Sequence, residues 1–158
     1  MASAEAKNVA VSPGVAATAN ASRSGLPGTL GSARKPTLRV SSVSDIADAS
    51  LSYNSIAGWD EVGRLDDIVA LTRRVWRSRA IGDMWAYMLL AEGSLDIVGE
   101  FDLKPYDMAA LIPIVEEAGG RFTSVDGEPG PWSGSALATN GLLHNEVLAA
   151  VSRPTTKA

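Results

Sequence analysis

Leu95–Gly120, LDIVGEFDLKPYDMAALIPIVEEAGG, is the stretch that decides how this chain is read. Its opening, Leu95–Glu100, is a short apolar run containing Ile97 and Val98, as a buried strand requires. Glu100 ends that run. Phe101–Tyr106 supplies a loop with Lys104 and Pro105, and Tyr106–Ala118 reads as a helix closed by Gly119-Gly120. Pro113 inside that helix has no N–H to give and is expected to bend it. A strand-end carboxylate followed by Asp107 in the first turn of the next helix is how α/β folds bring ligand groups to one crevice. Asp107 has a plainer use too, because an acid at a helix N-terminus caps free N–H groups. Spacing alone leaves both uses open. Glu116 and Glu117 sit where the helix dipole disfavours acids and read as solvated.

Outward from this stretch the chain alternates strands with helices. Leu38–Val40 reads as a short strand, followed by Ser42 and Ser44 capping a turn through Asp45–Ala49. Leu51–Ile56 is a strand ended by Gly58. Asp60–Val75 is a helix with Leu65, Ile68, Val69 and Leu71 at helical spacing and Arg73 and Arg74 at its C-terminal end. Trp76–Ile81 is extended. Asp83–Glu92 is a helix capped by Asp83 and stopped by Gly93. Arg121–Ser124 and Ala136–Thr139 are strands on either side of a Gly/Pro-rich turn, and Leu142–Val151 is a closing helix. This alternation implies an α/β class, a layered sheet-and-helix sandwich.

Composition narrows the chemistry. The 158 residues include no Cys and one His, with 14 Lys+Arg against 18 Asp+Glu. A disulfide framework, a thiolate zinc site, a cysteine nucleophile and a multi-histidine metal site are all excluded. Carboxylates, hydroxyls and backbone remain, so a bound metal is expected to be a hard cation held by oxygen. A pI near 4.9 argues against nucleic acid as a partner. The longest strongly apolar run, Met84–Ala91, is too short to span a bilayer, so no membrane partner is expected. The charge is unevenly spread. Residues 1–40 carry Lys7, Arg23, Arg34, Lys35 and Arg39 against Glu5, so the basic first stretch hides a strongly acidic remainder.

Residues 1–36 are rich in Ala, Ser, Gly and Pro and hold no aromatic residue, which reads as a disordered leader. A transit peptide and a non-native leader both fit that composition. The expected organisation is therefore a leader over 1–36, one α/β domain over 37–152 and a tail over 153–158.

The segment Leu95–Gly120 resembles the C-terminal hallmark of the inositol monophosphatase superfamily. That hallmark is an acidic strand end, an aromatic-Asp pair opening an apolar helix, and a Glu-Ala-Gly-Gly finish. Here the pair is Tyr106-Asp107. With Arg79-Ala80-Ile81-Gly82-Asp83 and Ala109-Ala110-Leu111-Ile112-Pro113, the chain is most similar to the histidinol-phosphatase branch, over about residues 37–151. The resemblance implies a fold like the C-terminal half of the inositol monophosphatase/fructose-bisphosphatase-like architecture. It implies Mg²⁺ as cofactor and a small phosphomonoester as substrate. By this likeness Asp107 ligates the metal, Glu100 contacts the hydroxyl or amine side of the substrate, and Gly82 and Asp83 border it. Asp83 would meet a cationic amine, and Arg79 is a basic position just before that loop. Plainer uses stand beside these: a surface ion pair for Arg79 and a helix cap for Asp83. Family members commonly dimerise, which leaves a homodimer open, and a cytoplasmic location is expected.

The chain departs from the family pattern in one respect. The Asp-Pro-(Ile/Leu)-Asp-Gly-Thr motif that carries other metal ligands is absent, since the chain contains no Asp-Pro pair. The expectation is therefore half of an enzyme, with one face of its sheet left bare for a partner. Three functions follow. The first is a Mg²⁺-dependent phosphomonoesterase by descent, acting on histidinol phosphate and weak or inactive alone. The second is an inactive remnant serving as a small-ligand-binding or oligomerisation module. The third is an inositol-phosphate phosphatase. Trp59, Trp76, Trp85 and Trp132 read as core or rim aromatics, His144 as exposed, and Lys104 as a solvated loop lysine within reach of a phosphate.

Overall fold

The computed structural model describes residues 37–152; the expected leader and tail lie outside the described residues. Five strands form one mixed sheet: β1 (Ser50–Ser52), β2 (Arg77–Arg79), β3 (Ile97–Phe101), β4 (Arg121–Thr123) and β5 (Ser135–Thr139). Their order across the sheet is β2-β1-β3-β5-β4. β1 runs parallel to β2 and β3, while β5 runs antiparallel to both β3 and β4. The helices are α1 (Ile56–Glu61), α2 (Leu65–Thr72), α3 (Asp83–Ala91), α4 (Pro105–Met108), α5 (Leu111–Glu117) and α6 (His144–Val151).

Side chains alternate across a strand, and here the alternation sorts residues into two cores. Leu51, Ile97 and Leu137 join Trp59, Ile68, Leu71, Val147 and Val151 on one side. Val98, Ala136, Ala138 and Phe122 join Tyr87, Leu90, Met108, Leu111 and Val115 on the other. Both faces of the sheet are therefore covered, by α1, α2 and α6 on one and by α3, α4 and α5 on the other. The expected bare face does not exist. Apolar exposure is found in individual side chains instead, among them Trp76, Met84, Trp85, Tyr106 and Trp132. Of the four tryptophans only Trp59 is core, with its ring edge-on to Phe101 at 4.8 Å.

Several boundaries move for local reasons. Leu38–Val40 is not a strand: the Val40 N–H donates to the Ala118 carbonyl at 3.0 Å, and Asn140 Nδ2 donates to the Val43 carbonyl at 2.7 Å. These bonds tie the segment to a helix end and a side chain, so no strand ladder forms there. The turn over Ile46–Asp48 is capped by Asp45, whose Oδ1 accepts from the Ala47 N–H, and not by a serine. The strand expected over Leu51–Ile56 stops at Ser52, because Asn54 turns left-handed (φ 53°) and Ile56 opens α1. The helix expected over Asp60–Val75 is two helices broken at Gly63 (φ 68°). Buried Arg64 spans the break, bonding Asp67 at 2.7 Å and Asp126 at 3.1 Å and lying over the Phe101 ring.

The helix expected over Tyr106–Ala118 is likewise interrupted, at Ala109-Ala110. A continuous helix would need an N–H from residue 113 to the carbonyl of residue 109, and Pro113 has none. The helix restarts at Leu111, placing Pro113 in the first turn of α5, where no intrahelical N–H bond is required. The double glycine that ends α5 meets two demands. Gly119 adopts φ 92°, and a Cβ on Gly120 would stand 2.7 Å from the Thr139 carbonyl oxygen and 2.8 Å from a Val115 methyl.

His144, expected on the surface, is fully buried at the start of α6. Its two ring nitrogens lie 3.1 Å from the hydroxyls of Thr123 on β4 and Thr139 on β5. The Thr123 hydroxyl donates to the Ser124 carbonyl, and the Thr139 oxygen accepts the Gly141 N–H. That leaves Thr123 to accept from Nε2–H and Thr139 to donate to Nδ1, a neutral imidazole protonated on Nε2.

Two outcomes test this packing. Gly120→Ala is expected to destabilise the fold by about 1–3 kcal/mol in denaturant titrations, since backbone rather than a flexible side chain blocks the added methyl. Burial and the charge of Arg121 pull His144 down from 6.5 to about 4. The unfolded chain thus takes up a proton that the folded chain refuses, so stability falls as pH drops from 6.5 to about 4. Melting temperatures across that window should flatten in His144→Gln.

Candidate active site

The C-terminal end of β3 opens into a cavity of about 590 Å³. Its wall is assembled from the loop after β1 (Asn54, Ser55), α1 (Ala57, Gly58, Glu61), α3 (Asp83, Met84, Tyr87), the end of β3 (Glu100 to Leu103) and α4 (Asp107). Five carboxylates line it, Glu61, Asp83, Glu100, Asp102 and Asp107, and no Lys, Arg or His does. Such a wall attracts cations.

Glu100 is the buried member of this set. The Tyr87 hydroxyl donates to Oε1 at 2.6 Å, and Asn54 Nδ2 donates to Oε2. Burial pushes the Glu100 carboxyl above its ordinary value, the two donors oppose that rise, and the charges of Asp83 and Asp107 add to it. Burial and the neighbouring Glu100 charge likewise drive the Tyr87 hydroxyl well upward, so it stays a donor.

Asp107 is the third residue of α4 and is exposed to the cavity. Its Oδ2 accepts the Lys104 N–H at 2.9 Å, and its own N–H donates to the Lys104 carbonyl at 3.0 Å. Asp107 is thus a helix cap and a cavity carboxylate together, since Oδ1 has no protein partner among the described residues. Asp83 is not the cap expected of it. Gly82 occupies the N-cap position, and Asp83, with φ 57°, begins α3 and faces the cavity. Gly82 lies behind it, where a Cβ would stand 2.7 Å from Asn54 Oδ1.

Glu100, Asp83 and Asp107 are therefore brought together, with Gly82 just behind the wall. Arg79 is not among them. It sits on the outermost strand, donates to the Ser78 carbonyl at 2.7 Å and lines two other surface depressions. Lys104 pairs with Asp102 at 3.1 Å. Asn54, Tyr87 and Glu61 were missed in the sequence. Tyr87 sits four residues after Asp83, one helical turn along the same face, which is the signal that could have found it.

The donor set suits a hard cation: carboxylate oxygens in an anionic cavity, with one open oxygen on Asp107. Among the described residues, no group of three or more Asp, Glu, His or Cys is gathered closely enough to hold an ion. No described helix is long and apolar enough to cross a membrane.

The sequence model of the inositol monophosphatase family matches residues 15–156. The chain belongs to that family. Histidinol-phosphatase of Streptomyces coelicolor is 58% identical over 111 residues, covering 70% of this chain and 42% of that protein. The histidinol-phosphatase of Mycobacterium tuberculosis is 53% identical over 116 residues, covering 73% of this chain and 45% of that protein. The chain thus spans less than half the length of these relatives. An inositol monophosphatase from Anabaena superposes with a TM-score of 0.67 at 27% identity, covering 78% of this chain and 53% of that one. This member of the inositol monophosphatase family thus shares the fold of that solved structure over most of its own length.

The left-handed position of Asp83 has a measurable consequence. Gly tolerates such a φ freely, Asp moderately and Ala poorly. Asp83→Ala should lower stability by about 1 kcal/mol, whereas Asp83→Gly should leave the melting temperature within a degree or two of the parent.

Proposed function

We propose that residues 37–152 carry the carboxylate side of a Mg²⁺-dependent phosphomonoesterase site whose substrate is histidinol phosphate. The observation that supports this most is the cavity at the end of β3, walled by five carboxylates and no basic side chain. Histidinol phosphate carries an ammonium group, which such a wall would bind, and a phosphate, which it would repel unless a cation intervened. The identity with histidinol-phosphatases supports the same substrate over an inositol phosphate, whose neutral polyol has no charge for Asp83 and Glu100 to match. The volume of about 590 Å³ suits a small ligand.

In this reading Asp107 offers its free Oδ1 to the metal while Oδ2 remains on the Lys104 N–H. Bound Mg²⁺ would neutralise phosphate oxygens and lower the pKa of an attacking water. Glu100 accepts from the substrate ammonium, and Asp83, across the cavity mouth, adds a second negative charge beside it. Gly82 leaves space for Asn54 behind Asp83. Arg79, away from the cavity, has no part in binding. A cytoplasmic location and function as a soluble protein complete the proposal.

A second reading is favoured by the incomplete ligand set among the described residues: the chain binds the aminoalcohol without turning over its phosphate. One experiment separates the two. With Mg²⁺ and histidinol phosphate, purified protein is expected to gain melting temperature, and Asp107→Asn to abolish the Mg²⁺-dependent part of that gain. Any phosphate release should fall by on the order of 10²-fold in the same variant. Stabilisation without release supports the binding reading. Absence of both release and Mg²⁺-dependent stabilisation overturns the phosphatase proposal.

A further inference from the structure

Glu100 is held by an arrangement with more order than burial alone demands. Each carboxylate oxygen receives one donor, Oε1 from the Tyr87 hydroxyl and Oε2 from Asn54 Nδ2, so each keeps a lone pair open. The donors come from α3 and from the loop after β1, two segments separate in the sequence. Tyr87 is fully buried, and its ring is fixed by stacking on Phe122 at 5.6 Å. Asn54 reaches Glu100 from a left-handed backbone, and among the described residues the three non-glycine positions of positive φ, Asn54, Asp83 and Asp102, all line this cavity. Strain of that kind gathers where a fold places side chains for a task.

The chemistry of the donors is the second observation. A buried carboxylate is most simply satisfied by Arg or Lys, which would cancel its charge. A phenol and an amide are neutral. They orient the carboxylate without bringing a positive charge to cancel its own. Every other ionisable group that faces it, Asp83, Asp107, Glu61 and Asp102, is an acid, apart from Tyr87 itself.

We propose that Tyr87 and Asn54 are positioning residues of this site, holding the two oxygens of Glu100 so that a cationic substrate group meets an oriented, uncompensated carboxylate. This rests on the reading of Glu100 as the amine-binding acid. Gly82 belongs to the same device, because any side chain there would drive Asn54 Oδ1 off its position. In this proposal Tyr87 and Asn54 act through Glu100.

The test uses purified protein and histidinol as probe. Histidinol affinity is measured calorimetrically for the parent, Tyr87→Phe, Asn54→Ala, Glu100→Gln and the Tyr87→Phe/Glu100→Gln double variant. The Glu100 side-chain carboxyl is followed by ¹³C NMR across pH in the parent and in the first two variants. Tyr87→Phe is expected to weaken histidinol roughly five- to tenfold, the effect of one hydrogen bond, and to add nothing once Glu100 is Gln. Its carboxyl midpoint should move upward, and Asn54→Ala should move it the same way. An equal loss of affinity in both Glu100 backgrounds, or an unmoved midpoint in both variants, overturns the positioning role. Failure of the parent to bind histidinol overturns the amine-binding reading of Glu100. The carboxyl titration then still decides whether Tyr87 and Asn54 control that group.

Discussion

Everything in this fold is referred to β3, the strand at which parallel pairing gives way to antiparallel. It bonds β1 on one edge and β5 on the other, and its residues alternate between two cores, Ile97 into one and Val98 into the other. A slip of one residue would exchange those faces and turn every side chain of the strand around. Its ends are pinned by buried acids. Asp96, just before the strand, accepts the Ser50 N–H and hydroxyl at 2.7 Å each and the Ser41 hydroxyl, while Glu100 at the other end accepts from Tyr87 and Asn54. Between them Gly99 has no side chain because the Trp59 ring occupies that space, with a notional Cβ only 3.1 Å from it. Register, core and site geometry are thus one constraint.

That constraint explains what could be read in the sequence. The apolar run before Glu100, the acid at Asp107 and the double glycine lie in one contiguous stretch, so local spacing exposed them. The α/β class followed from alternation alone. Asn54 was hidden because its relevance depends on a left-handed turn and on Glu100, 46 positions away. His144 was misjudged because burial of a polar ring depends on two threonines from different strands. The misplaced ends of helices had a different cause. Pro113 stands out in the sequence as a disturbance and Gly63 is a weak helix former, but whether a helix bends or restarts depends on the packing of its two halves against the sheet.

The electrostatic plan is equally simple. Basic groups are present in the chain, but none of them lines the cavity. Arg64 is committed to Asp67 and Asp126 and Arg74 to Glu146, while Lys104 pairs with Asp102, one carboxylate of the cavity wall. Arg79 lies at the outer edge of the sheet, away from the cavity. An acidic protein with scattered ion pairs would have no preferred ligand. Here the basic groups are kept off one wall, which gives the cavity its sign.

The divided loyalty of Asp107 has a further consequence, concerning which ions the cavity could accept. One of its oxygens closes the start of a four-residue helix, and the other is open. In the proposed site, a cation that takes both oxygens of a carboxylate, as larger Ca²⁺ often does, would compete with the Lys104 N–H that closes that helix. A small ion content with one oxygen and several waters leaves it closed. In the proposed site the short helix would thus favour an ion that binds through one carboxylate oxygen over one that needs two.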